Sequence, residues 1–438
     1  MKKIKNDITE ESAQNAGAER FPRFDWNARL MALCIAFISL FGLLIVVRLP
    51  SPDMRALIIT IGCAGSIYFC ARLFPRFNIA DPLTTALATF LGSFGALYQY
   101  SLTQTFGGMM QTFFYAVGLA VFCATSIVTR KWVLVPGKVE KNRLPLIGVS
   151  AAALALPMVM SSSRQWIYLG FGGLSIQPSE LVKVAFIIIL ADILKDKKLR
   201  HPVMVSAFLI ALFVGMVALQ NDFGSALVYY AAAVALVFIA APSLRTILLE
   251  TGVSAALAFG AYNISDVIQK RFKIFTTSFT DFTKMEGQLS SSLMSLANGG
   301  VTGTGLGLGR SGTIPVYSTD FVFAVVCEEF GFVFGIVLLF MIFLLVWQML
   351  RVAGRAGKRF HAMLAAGCAV VFGVQAFLIA GGVIKMIPLT GVTLPFISGG
   401  GSSLVSLMAM CGIVGGVSMA DAAPRRARIN DAGYTIDG

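Results

Sequence analysis

An all-α fold, a polytopic transmembrane helical bundle of about 12 spans, is what the sequence predicts, and three observations predict it. Of 438 residues, 57% are hydrophobic and only 13% are charged, roughly half the charged fraction of a soluble domain. Apolar runs long enough to cross about 30 Å of hydrocarbon recur along the whole chain. Lys and Arg gather on alternate connections between those runs, as expected of cytoplasmic loops.

The expected spans, in order, are 30–48, 55–74, 81–100, 108–128, 144–161, 179–195, 203–220, 223–241, 246–265, 320–350, 361–384 and 401–420. The first run follows a charged tail without a small-residue cleavage site, so it reads as a retained anchor. The runs at 144–161 and 179–195 are short enough to be tilted or buried in protein, and the run at 320–350 is long enough to tilt or to overshoot the bilayer. With the N-terminus inside, the inner segments collect Lys2, Lys3, Lys5, Arg20, Arg23 and Arg29, the basic residues of 130–143, 195–200 and 351–359, and Arg425, Arg426 and Arg428. Both termini are then cytoplasmic. The net charge of +13 is explained by orientation and by anionic headgroups, without nucleic-acid binding. The seven cysteines lie in apolar runs with no CxxC or Cys/His spacing, which predicts neither disulfides nor zinc.

This topology puts the segments 162–178, 221–222, 266–319 and 385–400 outside, and every unusual motif falls on them. In "SSRQWIYLGFGGLSIQPSELVK", Pro178 and Ser179 start a helix, Glu180 complements its dipole, and Lys183 is one turn away. A capped helix with a local ion pair explains them, with Arg164 and Trp166 as an interfacial anchor; a functional role remains open. In "LQNDFGSALV", Asn221 or Asp222 caps the next helix or faces a polar cavity. "GGVTGTGLGLGRS" lacks the GK[ST] of a phosphate loop and follows no strand. It reads as a flexible outer loop ending in Arg310, whose guanidinium suits phosphate. "STDF" at 318–321 is an N-cap or something more: Glu328 and Glu329 lie about 12–14 Å deeper at helical rise, and acids there imply a polar interior. "IPLTGVTLPFISGGGSSL" breaks helix geometry between two spans, so it lines a cavity or packs on protein, or is a rigid surface loop.

Together these ordered motifs resemble the SEDS family (shape, elongation, division and sporulation) of membrane glycosyltransferases, over roughly residues 80–420. The motifs carrying the resemblance are "RQWI" with "QPSELVK", "LQNDFGSALV", "GQLSSSLMSLANGGVTGTGLG", "IPVYSTDFVFAVVCEEFGF" and "TGVTLPFISGGGSSL". The chain departs from the family pattern at Asn221 (usually Pro), Cys327 (usually Gly), Gly399 (usually Tyr) and Ile379 (usually Asn). These changes blur the subfamily more than the activity.

The resemblance implies a ten-span SEDS core at 79–420, preceded by an additional transmembrane pair at 30–78. Cytoplasmic tails at 1–29 and 421–438 flank them, and a large extracytoplasmic loop at 266–319 interrupts the core. It implies polymerisation of lipid II, an undecaprenyl-pyrophosphate-linked disaccharide-pentapeptide, into glycan strands at the outer face of a bacterial cytoplasmic membrane. It implies a class B penicillin-binding transpeptidase and other divisome or elongation proteins as partners. Asp320 matches the family's catalytic aspartate: a sugar hydroxyl needs a base, and His201 and His361 are both expected inside. Arg164, Lys183, Arg310, Ser402 and Ser403 are the expected substrate and pyrophosphate contacts, with Lys270, Arg271 and Lys273 as looser candidates. Glu180, Asp222, Thr319, Glu328, Glu329 and Pro395 are expected as polar or structural support. A divalent cation, Mg2+ or Mn2+, is compatible with the leaving pyrophosphate, although no ligand cluster is legible; nucleotide, haem and zinc are not expected. A lipid II flippase, a secondary transporter and a non-catalytic scaffold are the other readings. The transporter would place its ionisable residues near the bilayer midplane, and these residues gather at one face.

Overall fold

The computed structural model describes residues 26–48, 53–103, 106–161, 164–168, 175–195, 202–276, 284–310, 312 and 314–431. Most of the expected N-terminal tail, the end of the C-terminal tail, the basic segment 196–200 and His201 lie outside the described residues.

The chain is a helical bundle. Its long helices are α1 (Trp26–Arg48), α2 (Met54–Arg76), α3 (Pro82–Thr103), α4 (Phe106–Val128), α5 (Arg143–Met160), α6 (Pro178–Lys195) and α7 (Pro202–Leu219). There follow α8 (Phe223–Ala240), α9 (Leu244–Ile264), α10 (Asp266–Thr276), α11 (Lys284–Gly299), α12 (Val322–Arg355), α13 (Arg359–Val383) and α14 (Gly401–Asp431). A two-residue antiparallel pairing joins β1 (Ile167–Tyr168) to β2 (Ser175–Ile176).

Each expected span corresponds to one of these helices. Among the described residues, eight are long and apolar enough to cross a membrane by length and composition alone. Those eight do not include α3, α6, α7 or α9. For α3 and α6 the reason is polar content, which their burial among neighbouring helices permits. The stretch from Thr84 to Ser101 is buried on every side of α3, and α6 buries Ser179, Glu180, Lys183 and Asp192. A helix shielded from lipid by its neighbours can carry polar side chains if they are partnered. Asp192 accepts from Arg143 at 2.7 Å and pairs with Lys195 at 2.5 Å.

Two segments carry detail beyond the expected spans. The segment 266–319, expected as a connection between spans, contains the helices α10 and α11. The run at 320–350 is interrupted near its start. Gly331 has φ 86° and ψ 163°, which breaks α12 into half-helices at 322–330 and 332–355. That backbone region is open essentially to glycine alone. The break frees carbonyl groups that would be costly in an apolar interior. The glycine-rich loop after α11 satisfies them: Thr304 N–H donates to the Glu328 carbonyl at 2.8 Å, and Gly305 N–H to the Glu329 carbonyl at 2.9 Å. Phe332 N–H returns a bond to the Gly300 carbonyl at 2.9 Å. Backbone meets backbone so closely that a Cβ on Gly303 would lie 2.3 Å from the Glu329 carbonyl oxygen. The glycine run is thus a fitted plug for a broken helix.

Candidate active site

The α12 N-terminus, the loop 384–400, the α7–α8 junction and the helices α10 and α11 meet at one end of the bundle. Their meeting point is a cleft of about 90 Å3 lined by Arg271, Ile274, Phe275, Gln288, Leu289, Asp320, Ile387, Leu389 and Gly391. Asp320 is the single carboxylate among these lining residues.

Asp320 is held from several directions. Its own N–H donates to the Val316 carbonyl at 3.2 Å, making the turn that leads into α12. The two residues before it are gripped by distant segments. Gln99 of α3 donates to the Ser318 carbonyl at 2.8 Å, Gly399 N–H donates to the same carbonyl at 2.9 Å, and Ser398 Oγ donates to the Thr319 carbonyl at 2.7 Å. Gln99 Nε2 also binds the Ile397 carbonyl at 2.8 Å, which ties both strands of the clamp to the buried α3. Pro395 and Ser398 are buried in this seam.

Asp320 is half-buried and stands across Gly391 from Arg271. Burial raises its carboxyl above the ordinary range, while the Thr319 hydroxyl and the Arg271 charge pull it partly back. Arg271 is lowered by burial, against the opposing pull of Asp222 and Asp320. Its Nη1 donates to the Thr390 carbonyl at 2.8 Å, fixing α10 against the loop. Asp222 caps α8 through Ser225 N–H at 3.0 Å and accepts from Gln177 Nε2 at 2.7 Å. Its carboxyl too is raised, chiefly by burial. The result is a guanidinium flanked by two carboxyl groups, each of which is a stronger base than an exposed aspartate once ionised.

The other expected residues distribute as follows. Ser402 is buried, and its Oγ accepts from Gln177 N–H at 3.0 Å; Ser403 is buried and shares a 2.8 Å bond with Thr393. Lys183 is 1% exposed and bonds both Glu180 oxygens at 2.9 and 3.0 Å, with Ser406 donating to Glu180 at 3.2 Å. That pair is sealed inside the bundle in this conformation. Arg164 and Arg310 are exposed and line no part of the cleft. Glu328 accepts from Arg310 N–H at 3.1 Å and Glu329 from Gly307 N–H at 2.9 Å, both far down the plugged half-helix. His361 sits at the opposite end of the bundle, bonded to Asp421 at 3.0 Å.

Sequence reasoning did not single out Gln99, Gln177, Ser398 or Thr390. Gln99 had a signal, being a lone amide inside a long buried run. Arg271 could not be separated from Lys270 and Lys273 until α10 was seen to turn residues 271, 274 and 275 into the cleft, at helical spacing, and to leave Lys270 and Lys273 exposed.

Residues 83–422 match the FtsW/RodA/SpoVE family, described as cell cycle protein. The "Peptidoglycan glycosyltransferase RodA" of Mycobacterium tuberculosis (strain ATCC 25618 / H37Rv) is 28% identical over 436 residues, covering 92% of each chain. The "Probable peptidoglycan glycosyltransferase FtsW" of Bacillus subtilis (strain 168) is 32% identical over 375 residues, covering 81% of this chain and 90% of that one. A chain solved in the study "Structural coordination of polymerization and crosslinking by a peptidoglycan synthase complex" superimposes with a TM-score of 0.61 at 26% identity. It covers 77% of this chain and 97% of its own length.

Proposed function

The chain belongs to the FtsW/RodA/SpoVE family of multi-pass membrane proteins, and from that premise we propose that it is a peptidoglycan glycosyltransferase that polymerises lipid II. The observation that carries the reading is the clamped Asp320 beside Arg271 in a cleft at one end of the bundle. The Lys and Arg distribution supports turning that end outward, with both termini in the cytoplasm.

In this reading the GlcNAc O4 hydroxyl of one unit enters the cleft and gives its proton to Asp320. As that proton leaves, O4 forms a bond to C1 of the other unit's MurNAc, from the face opposite the leaving group. The C1–O bond to the undecaprenyl pyrophosphate breaks, and the pyrophosphate departs with the electron pair, so configuration at C1 is inverted. Burial suits Asp320 to the task, because a base with a raised pKa takes a proton from a sugar hydroxyl more readily. Arg271 steadies the ionised form between proton transfers and faces the developing phosphate charge.

The described residues contain no group of three or more His, Cys, Asp or Glu suited to a metal, and the charged neighbour of Asp320 in the cleft is a cation. A Mg2+ or Mn2+ ion here would draw most of its octahedral oxygen ligands from phosphates and water. The synthase complex named for the structural neighbour supports a membrane transpeptidase as partner.

The test is a polymerisation assay with the purified full chain, with and without its transpeptidase, given lipid II and scored for glycan strands. Strands from the wild type and none from D320N are expected. Normal strand synthesis by D320N would remove Asp320 from the role, and a wild type that moves lipid II across vesicles without joining it would overturn the enzyme reading.

A further inference from the structure

Helices α1 and α2 lie outside residues 83–422, the part of the chain that matches the family. Helix α1 nevertheless packs against the glycine loop and the rings that flank the Gly331 break. The last residue of α1, Arg48, lays its guanidinium over Gly307 of the glycine loop. Its Nη2 donates to the Gly307 carbonyl at 3.0 Å. The approach is so close that a Cβ on Gly307 would coincide with the guanidinium carbon, at 1.5 Å. Gly307 N–H is the group that donates to Glu329, and the Arg48 charge reaches the same carboxylate.

A second set of contacts flanks the break itself. Phe330 and Phe334 stand on either side of Gly331. Phe41 of α1 meets Phe330 with ring centroids 5.8 Å apart, and Phe37 stacks on Phe334 at 6.2 Å with planes 17 degrees or less from parallel in the stacked pairs of this cluster. Phe94 and Tyr98 of the buried α3 complete the cluster. At the head of α2, Asp53 accepts a bond from the Tyr100 hydroxyl of α3. One helix thus holds both the plug and the two aromatic rings that bracket the break, and the half-helix 322–330 runs from that break to the Asp320 turn.

We propose that Arg48 is a positioning residue: helix α1 clamps the glycine loop onto the Gly331 break and thereby fixes the half-helix at whose head Asp320 sits. The kinetic consequence rests on the reading of Asp320 as the base; the mechanical claim does not.

The test uses the full chain in lipid nanodiscs with two readouts. The first is lipid II polymerisation. R48A lowers kcat on the order of tenfold or more, the scale of a small misplacement of reacting groups, while KM stays within about twofold, since α1 contributes nothing to the cleft. R48K, which keeps the charge but not the planar fork, recovers part of kcat. The second readout is alkylation of Cys327 by N-ethylmaleimide, measured by peptide mass spectrometry. Cys327 is fully buried in the half-helix, and Cys368 of α13 is an equally buried control. R48A raises labelling at Cys327 and leaves Cys368 protected. A wild-type kcat in R48A, or Cys327 as protected as in the wild type, overturns the proposal. If R48A exposes Cys368 as well, G307A decides. Its methyl collides with Arg48, so it impairs the Arg48 chain more than the R48A chain, and equal impairment in both overturns the clamp. Should the wild type make no glycan, the proposed function fails while Cys327 labelling still tests the clamp.

Discussion

Asp320 and the Glu328–Glu329 pair are separated by one short half-helix, yet they live in opposite kinds of site. Asp320 opens onto a cleft, with a guanidinium across it and its flanking carbonyls clamped from behind. Glu328 and Glu329 are buried, and each gives an oxygen to a backbone N–H of the glycine loop. An acid near a membrane is assigned its task by what it faces. One facing solvent-reachable space beside a cation is equipped for proton transfer; one facing backbone donors is equipped to hold a fold together.

The largest effect is expected from D320N. Loss of a general base is worth on the order of a thousandfold in kcat, and membrane insertion and yield should be unchanged. The raised carboxyl also has a stability consequence. A carboxyl whose folded pKa lies above its unfolded value favours the fold at low pH and loses that contribution as pH rises through the folded pKa. D320N should therefore unfold no earlier than the wild type at neutral pH, and an earlier thermal transition in detergent would count Asp320 as structural.

G331A is the mirror experiment. An added Cβ would lie 2.2 Å from the Val301 carbonyl oxygen, on backbone with φ 86°. A stability loss of about 3 kcal/mol or more is expected, read as a lower unfolding temperature, with the activity of any folded fraction following it. Unchanged stability would mean that the break is not set by glycine.

R271Q sharpens the cleft side. The carboxylate form must be present to accept a proton, so kcat/KM rises with pH through the Asp320 pKa. Arg271 holds that pKa down against burial, so R271Q should move the acidic limb to higher pH and lower the plateau about tenfold. A limb that stays in place would separate Arg271 from Asp320. Smallest is S398A, which removes the bond to the Thr319 carbonyl and the acceptor of Leu394 N–H and should cost about 1–2 kcal/mol, at most about a tenfold drop in kcat with the pH profile unmoved.

Much of this fold is legible in the chain. Each apolar run became a helix, because roughly 20 apolar residues have few other ways to satisfy their backbone. The break at Gly331 was not legible. A lone glycine in an apolar run is ordinarily tolerated, and its partner loop lies about 30 residues earlier, at a distance no local pattern encodes. The glycine run of 299–310 was visible as unusual, but its use as a plug needed the opposing carbonyls. Asp320 was legible through its motif. Lys183 drew attention as an outer cation, and its short spacing from Glu180 foretold the ion pair found here, whereas the sealing of that pair by α14 is a tertiary fact.

The broken helix makes the Asp320 end a lever. Nine residues of half-helix span about 13 Å, so a pivot of about five degrees at Gly331 swings the far tip by about 1 Å. Displacements of that size can change a reaction rate about a hundredfold. Whatever grips the fulcrum, whether within this chain or from a neighbouring protein in the bilayer, gains leverage over chemistry it never touches.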